Sequence, residues 1–228
     1  MIPLGHMAVP TMIFLLFSVC GFTSEGLLPL FGEKEPIDQF KDLIEAGQGA
    51  EYRAEYRISY NIEGESGSDT FEIVQQGERS RMDIAMDLGL GRGPEQISIY
   101  SLADEAYMCT RQYEVACVKI SQEGFNEFDL VSELEKNPED YEIERLDERT
   151  VQRITAKCFS VAGGEIEGDV EVCYSEGGVM LYFELEQGRD RTTIEATSVK
   201  IGNVDDDEFE LPEGAQIYEG DEYVPGVT

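Results

Sequence analysis

The chain has 228 residues and carries 17 Lys and Arg side chains against 48 Asp and Glu, for a formal net charge of −31. Nucleic-acid binding requires basic side chains that displace phosphate counterions, so this composition argues against DNA or RNA as a partner. An anionic membrane surface would also repel such a body, so any membrane attachment is expected through the N-terminus. The acidic residues are spread along the sequence, which indicates a soluble, self-repelling surface, with adaptation to a saline habitat as the alternative.

A nearly continuous apolar run occupies residues 7–22. It is short for a membrane-spanning helix, which needs roughly 20 residues, and it suits the hydrophobic region of a secretory signal. The string Phe17-Ser-Val-Cys20 resembles a lipidation motif, so lipidation of Cys20 is one expectation, and cleavage next to it or a retained anchor are the others. Residues 1–22 are therefore predicted to be a signal peptide or membrane anchor, and residues 23–35 a linker.

The body begins with an amphipathic helix predicted over residues 35–47, which Pro36 opens and Gly47 ends. Residues 52–62 then alternate between apolar and polar side chains, which is the period of a half-buried antiparallel strand. A turn at 64–68 and a returning strand at 70–75 complete the first predicted hairpin. Antiparallel strands joined by tight turns are thus the expected architecture.

Short strands separated by glycine-rich turns are predicted along most of the remaining chain. They cover residues 81–88, 97–102, 106–110, 113–120, 154–161, 170–174, 179–185 and 192–201, with a glycine loop at 89–94. Residues 125–136 have apolar side chains at helical spacing and precede Asn137-Pro138, which predicts a second amphipathic helix. The acidic string 205–208 lacks the spacing of a calcium-binding loop and is predicted to be a solvated turn. The domain is expected to span residues 36–217, followed by an acidic tail at 218–228.

Four of the five cysteines form two short-range pairs in the body. Each pair flanks a short turn between consecutive predicted strands, where antiparallel neighbours lie about 5.5 Å apart between Cα atoms, within disulfide range. The sequence therefore predicts the disulfides Cys109–Cys117 and Cys158–Cys173, with unrelated buried thiols as the alternative. Because disulfides persist in oxidising compartments, the protein is expected to be extracytoplasmic, either membrane-anchored or secreted.

The alternation also predicts which apolar side chains share one face of the sheet, because a register that buries one residue of a strand buries its i+2 neighbour. Tyr52 belongs to this face, which is expected to be concave and to lie beneath the two helices. The predicted ligand contacts on it are Ala54, Tyr56, Ile58, Phe71, Ile73, Met82, Ile84, Met86, Leu181 and Phe183. Two short helices are a sparse cover for so many strands, which leaves room for a hydrophobic ligand; a sheet that packs fully is the alternative.

The sequence of the body contains few of the residue patterns that are typical of catalytic sites. The single histidine, His6, lies in the leader, which excludes Ser–His and Cys–His nucleophile pairs and histidine-ligated zinc from the body. No G-x-S-x-G, phosphate-binding-loop or C-x-x-C motif occurs, and carboxylates are too numerous for one pair to stand out. No enzyme activity, cofactor or metal site is predicted.

Several short strings occur in an order that resembles a known family. They are Tyr107-Met-Cys109, Ala116-Cys-Val-Lys-Ile120, Ala156-Lys-Cys158-Phe, Glu171-Val-Cys173-Tyr-Ser-Glu-Gly-Gly178 followed by Val179-Met-Leu-Tyr182, and Phe209-Glu-Leu-Pro-Glu-Gly-Ala215. Their order resembles the lipoprotein-carrier superfamily of LolA, LolB and LppX-like proteins, especially poorly characterised archaeal and bacterial members with added disulfides. The resemblance implies an α+β fold, in which a strongly curved, unclosed antiparallel sheet forms a half-barrel and two helices cover its concave face.

In relatives of this kind the cavity holds acyl chains or other lipids. The basic residue that helps the lipoprotein carrier to release its cargo has no matching position here, which puts lipoprotein shuttling in doubt. The expected function is that of an extracytoplasmic, membrane-tethered binding protein for a lipid or other hydrophobic ligand. The alternative is an extracytoplasmic interaction or sensor domain with a filled core and no ligand, whose protein partner the sequence does not name.

Overall fold

The computed structural model of the chain describes residues 34–86, 95–111, 115–120, 137, 140–164 and 166–219. Within this part the helix α1 spans Pro36–Gln48, close to its predicted bounds. The strands are β1 (Glu51–Ile62), β2 (Glu65–Gln76), β3 (Arg79–Met86), β4 (Glu95–Leu102), β5 (Glu105–Arg111), β6 (Val115–Ile120), β7 (Tyr141–Arg145), β8 (Arg149–Val151), β9 (Ile154–Gly163), β10 (Ile166–Ser175), β11 (Met180–Gln187), β12 (Asp190–Ile201) and β13 (Gln216–Tyr218). The predicted leader with Cys20, the glycine loop, the second helix at 125–136 and residues 220–228 of the predicted tail lie outside the described residues.

The thirteen described strands form one sheet. Its order is β13-β6-β5-β4-β3-β2-β1-β12-β11-β10-β9-β7, and β8 pairs with β9 beside that path. Neighbours run antiparallel, except that β13 runs parallel to β6. Since the terminal strands β13 and β7 do not pair with each other, the sheet is unclosed, and the expectation of a large, unclosed and mostly antiparallel sheet is confirmed. Among the described residues α1 is the single α-helix, so the predicted two-helix cover of a concave face is not reproduced in this part of the chain.

The first hairpin turns earlier than the sequence predicts. Glu63 and Gly64 have φ angles of 54° and 87°, and two successive positive φ angles are typical of the two-residue turns that join antiparallel strands. Ile62 therefore pairs directly with Glu65, and residues 65–68 belong to β2. The prediction of a turn at 64–68 is wrong because the polar composition of these residues masks a strand whose backbone is paired along its whole length.

Three strands have no counterpart among the sequence predictions. Two of them, β8 and β13, are only three residues long, which is too short to show a period. The third, β7, does alternate in its sequence Tyr-Glu-Ile-Glu-Arg, and Tyr141 and Ile143 pack against the core cluster that contains α1. The signal for β7 was thus present, whereas β13 depends on a long-range parallel pairing.

Helix α1 packs closely on the sheet. Phe40 is fully buried, and its ring meets Phe159 edge-on at 5.3 Å and Tyr174 at 5.9 Å between centroids. At the C-terminal end of the helix, a Cβ atom on Gly47 would collide with the backbone of Gly178 in the β10–β11 turn. Gly178 also has a φ of 77°, so this close approach requires glycine at both positions.

The register divides β1–β6 into two faces of different chemistry. On the first, called the apolar face, two rows of cross-strand neighbours run across the strands. They are Ala54, Ile73, Met82, Ile99, Met108 and Val118, and beside them Tyr56, Phe71, Ile84, Ile97, Thr110 and Ala116. The second, called the charged face, carries every described Lys and Arg of these strands. They are Arg53, Arg57, Arg79, Arg81, Arg111 and Lys119.

The chain after β12 packs on the charged face. Val204 and Phe209 pack against the fully buried Val74, and Leu211 and Ala215 pack against a cluster that contains the Cys109–Cys117 disulfide. The carboxylate of Glu208, in the 3₁₀ turn Asp206–Phe209, accepts hydrogen bonds from Arg53 and Arg81. The prediction of a solvated turn is wrong for Glu208, whose side chain is 24% exposed because two guanidinium groups lie opposite it.

Candidate functional site

The register brings the predicted apolar residues of different strands to one face. Tyr56 pairs with Phe71, which pairs with Ile84, while Ile58 connects through Ile194 of β12 to Phe183 of β11. Tyr52, Ala54, Ile73 and Met82 follow on the same face by alternation. Leu181 is the extra residue of a bulge in β11 and is fully buried. Met86 pairs with Glu95, and its side chain is outside the described part.

A cavity of about 440 Å³ opens among these side chains. Its volume lies in the range of roughly 300–1,000 Å³ that is typical of small-molecule pockets. Most of its lining comes from the apolar face. The lining residues are Tyr52, Ile73, Gln75, Ser80, Arg81, Met82, Ile99, Tyr100, Ser101, Ala103 and Ala106.

Only part of the predicted ligand set contacts this cavity. Ile73 and Met82 line it, together with Tyr52, whereas Ala54 and Tyr56 are each 1% exposed and belong to the packed core. The Tyr56 hydroxyl donates to the carbonyl oxygen of Met180 at 2.9 Å, and its ring stacks on Phe71 at 5.0 Å. The predicted set is therefore divided among three places. Ile73 and Met82 line this cavity, Phe71 and Ile84 line a second cavity of about 390 Å³, and the core contains Ala54, Tyr56 and Leu181.

Sequence reasoning named three of the eleven lining residues, Tyr52, Ile73 and Met82, and missed the other eight. Ile99 alternates with Ile97 in a predicted strand, so its place on the face could have been inferred. Gln75, Ser80 and Ser101 are polar and gave no apolar signal, but they are successive cross-strand neighbours that start from Tyr52. Only the register of four strands, which the sequence does not supply, brings these residues together.

Burial raises the pKa of Tyr52 in the cavity lining and of two further tyrosines, Tyr56 and Tyr174, that pack in the core. It raises the pKa of Tyr52 to about 12. The pKa of Tyr174 is also raised to about 12, first by burial and second by the charge that Tyr52 would carry. Burial raises the pKa of Tyr56 as well. These phenols are therefore neutral hydrogen-bonding groups over the physiological pH range.

Arg81 borders the cavity, but its charge is neutralised on the charged face. Its guanidinium donates to Asp83 at 2.9 Å and to the Glu208 carboxylate at 2.7 Å, and its side chain is 16% exposed. Burial alone would lower the pKa of Arg81, yet the charges of Asp83 and Glu208 outweigh it and raise the pKa. The guanidinium thus stabilises the packing of the C-terminal segment.

Two further cavities, of about 390 and 220 Å³, are lined mainly from the charged face. Carboxylates such as Glu55, Glu72 and Asp83 line them, so they are poorly suited to an apolar ligand.

Among the described residues, the atoms of Cys158, Glu171 and Cys173 come within 4.8 Å of one another, as metal ligands could. Both sulfurs form a disulfide, so neither is a free thiolate that could bind a metal ion.

Both disulfides join the predicted partners. Cys109 faces Cys117 across β5 and β6, and Cys158 faces Cys173 across β9 and β10, each with 4.0 Å between Cα atoms. The predicted presence of two disulfides is confirmed, which supports an extracytoplasmic location.

In the described part of the chain, no helix combines the length and the apolar character required to cross a bilayer.

The fold is that of an unclosed, mostly antiparallel sheet with a helix packed on one face, and solved structures share it. A structure of MucB is 14% identical with a TM-score of 0.54, covering 79% of this chain and 64% of that one. The MucA/MucB complex of Pseudomonas aeruginosa also matches, at 14% identity and a TM-score of 0.54, over 78% of this chain and 61% of that one. This chain thus matches less than two thirds of the MucB chains, and at this identity the likeness shows the fold alone.

The structures similar to this chain also include the LolA superfamily protein NE2245 of Nitrosomonas europaea. It is 8% identical with a TM-score of 0.36, over 75% of this chain and 97% of that one. The likeness of fold rests on the MucB structures. No family model and no curated protein matches the chain.

Proposed function

We propose that this domain is an extracytoplasmic binding protein for an elongated hydrophobic ligand, such as a lipid tail, which the cavity on the apolar face holds. The observation that carries the proposal is a cavity of about 440 Å³ on a sheet face whose described strands β1–β6 present no basic side chain. Ile73, Met82 and Ile99 supply apolar walls. Burial of an acyl chain stabilises a complex by about 0.8 kcal/mol per CH₂ group and needs no catalytic residue.

The proposal includes attachment to a membrane through the N-terminus. Residues 1–22 would act as signal peptide or anchor, 23–35 as linker, 36–217 as the binding domain and 218–228 as an acidic tail. Cys20 would be either lipidated or removed with the leader. Intact-mass measurement of the mature protein tests this, because an acylated N-terminal cysteine adds the mass of its lipid, whereas an unmodified N-terminus beyond residue 20 would exclude lipidation.

The finer architecture also belongs to the proposal. A curved half-barrel with a second helix at 125–136 would narrow the space above the apolar face. Helix α1 supports this arrangement, since it packs on the same side of the sheet as Phe159 and Phe183. An experimental structure with a bound ligand would test it, and a flat sheet or a helix on the charged face would refute it.

The experiment combines extraction with titration. Lipid from the purified full chain is identified by mass spectrometry, and binding is followed with N-phenyl-1-naphthylamine, an uncharged fluorescent probe. Met82→Trp fills the cavity and should weaken probe binding at least tenfold. Met108→Trp is the matched control, because Met108 lies in the same apolar row without lining the cavity, and should change binding less than threefold. Equal effects of the two substitutions, or no saturable binding, would contradict the proposal.

A protein partner is the second candidate. The observation that favours it is the likeness to MucB, which has been solved in complex with MucA. In this alternative the apolar face would be filled by side chains of the partner rather than by a lipid. Purified protein that contains no lipid, binds no probe and nevertheless forms a stoichiometric complex that Met82→Trp disrupts would favour this candidate over the first.

A further inference from the structure

The cavity is polar along one side and apolar along the next. Gln75, Ser80 and Ser101 are direct cross-strand neighbours and form what we call the polar row. The adjacent row supplies Ile73, Met82 and Ile99, which are likewise direct neighbours. An amphiphile that enters the cavity would therefore meet hydrogen-bonding groups on one side and hydrocarbon on the other.

The polar row has unused hydrogen-bonding capacity. Within the described part of the chain, the hydroxyls of Ser80 and Ser101 have no hydrogen-bond partner. The Gln75 amide nitrogen donates to the carbonyl oxygens of Gly77 at 2.6 Å and Gln48 at 3.4 Å, which leaves its side-chain oxygen as an acceptor. The row thus offers two hydroxyls and an amide oxygen, all uncharged, to a ligand.

Among the described residues that line the cavity, none carries an unpaired charge. None of the lining residues is a carboxylate, and the one cation among them, Arg81, is paired with Asp83 and Glu208 on the charged face. The Tyr52 phenol is neutral below its raised pKa. An anionic headgroup would lose its hydration without gaining a cationic partner, and the net charge of −31 would repel it.

We propose that the polar row selects amphiphiles with an uncharged, hydrogen-bonding headgroup, such as a hydroxyl, ester or amide, over anionic amphiphiles of the same chain length. This inference rests on the proposed binding of a hydrophobic ligand. It adds that the headgroup lies against Ser80 and Ser101 while the chain lies against Ile73, Met82 and Ile99. A neutral glyceride fits this description, whereas an ionised fatty acid does not.

The test compares two ligands that share a ten-carbon acyl chain. 1-Monodecanoylglycerol and decanoate are each titrated against the probe-loaded full chain at pH 8 and 0.15 M salt, below their micellar concentrations, and displacement of the probe is measured. The glyceride should bind at least tenfold more tightly, and affinity for decanoate should rise with salt because screening weakens the repulsion.

A charge placed in the row should change this preference. Ser101→Lys gives decanoate a cationic partner and should bring the affinity ratio to threefold or less. Thr70→Lys adds the same charge to the exposed charged face and should leave the ratio unchanged. A wild-type ratio near one, a preference for decanoate, or equal effects of the two lysines would overturn the inference while the binding function stands. Failure of both ligands to displace the probe would refute the inference and the proposed function together.

Discussion

Two regions on the same side of the sheet differ in how fully their apolar side chains are covered. Over β9–β11, helix α1 covers the sheet, and Phe159 and Val161 are completely buried. Over β2–β4, the equivalent apolar side chains of Ile73, Met82 and Ile99 stay partly exposed around a cavity. We call these regions the covered half and the open half. The difference indicates that the covered half supplies stability, while the open half is where the proposed ligand would bind.

The open half is stabilised by residues that pack on its charged face. On its charged face Val74 is fully buried under Val204 and Phe209, and Arg81 connects β3 to Glu208. The Cys109–Cys117 disulfide closes the neighbouring hairpin on the same face. Strands packed in this way on one face can leave the other face partly exposed without loss of the fold.

The largest effect is expected in the covered half. Phe159→Ala removes a fully buried ring that contacts Phe40, and it should lower the free energy of unfolding by about 3–5 kcal/mol. Urea denaturation followed by circular dichroism measures the loss. A decrease below about 1 kcal/mol would show that α1 contributes little to the core and would remove the contrast between the two halves.

The second-largest effect is expected from the ion pairs on the charged face of the open half. Arg81→Ala removes the ion-pair partner of Asp83 and leaves Glu208 with Arg53 alone, and it should lower the free energy of unfolding by about 2–3 kcal/mol. Arg79→Ala is the matched control, because its ion pair with Asp206 is exposed and its guanidinium lies 4.7 Å from the Phe209 ring centroid. The control should cost at most about 1 kcal/mol. Equal losses would contradict a special role for the partly buried ion pairs of Arg81.

Alkaline pH should act on Tyr52, which lines the cavity. The folded pKa of Tyr52 is raised from 10.0 to about 12, so its contribution is complete below pH 10 and is lost as pH rises towards 12. This loss should be on the order of 2 kcal/mol. Denaturation at pH 9 and 11.5 measures it, and Tyr52→Phe should flatten the dependence. An unchanged slope in Tyr52→Phe would show that another group governs the alkaline loss.

The smallest stability effect is expected in the open half. Met82 is partly exposed, so Met82→Ala should cost only about 1 kcal/mol of unfolding free energy. The same substitution should weaken binding of the neutral probe several-fold, because Met82 lines the cavity. The Phe159→Ala variant, studied under conditions where it stays folded, should retain probe affinity. If instead Phe159→Ala weakened the probe more than Met82→Ala, the roles of the two halves would be reversed.

The sequence predicts local features well and long-range ones poorly. Alternation within each strand identified Tyr56, Phe71 and Ile84 as residues of the apolar face, because it requires the pattern of one strand only. The spacing of the cysteines identified both disulfides, because each disulfide joins neighbouring strands of one hairpin. The parallel pairing of β13 depends on residues about 100 positions apart, which no local pattern encodes.

The candidate site shows the same limit. Tyr52 and Met82 were predicted from alternation, whereas Ser80 and Ser101 line the cavity only because the pairing of four strands places them in one row. Glu208 lies in an acidic string that predicts solvent exposure, yet it pairs with Arg53 and Arg81 on distant strands and is partly buried. Which face a polar residue occupies, and whether it is paired, follows from tertiary contacts.

The most direct test of the account is the response of the methionine methyl groups to a ligand. The body contains few methionines, and the covered and open halves each hold one that reports on its region, Met180 next to α1 and Met82 in the cavity lining. Protein labelled with ¹³C at the methionine methyl groups is titrated with 1-monodecanoylglycerol and observed by NMR. A saturable shift of the Met82 signal with little change at Met180 is the expected result. A shift confined to Met180, or none that saturates, would contradict the assignment of the open half as the ligand-binding surface.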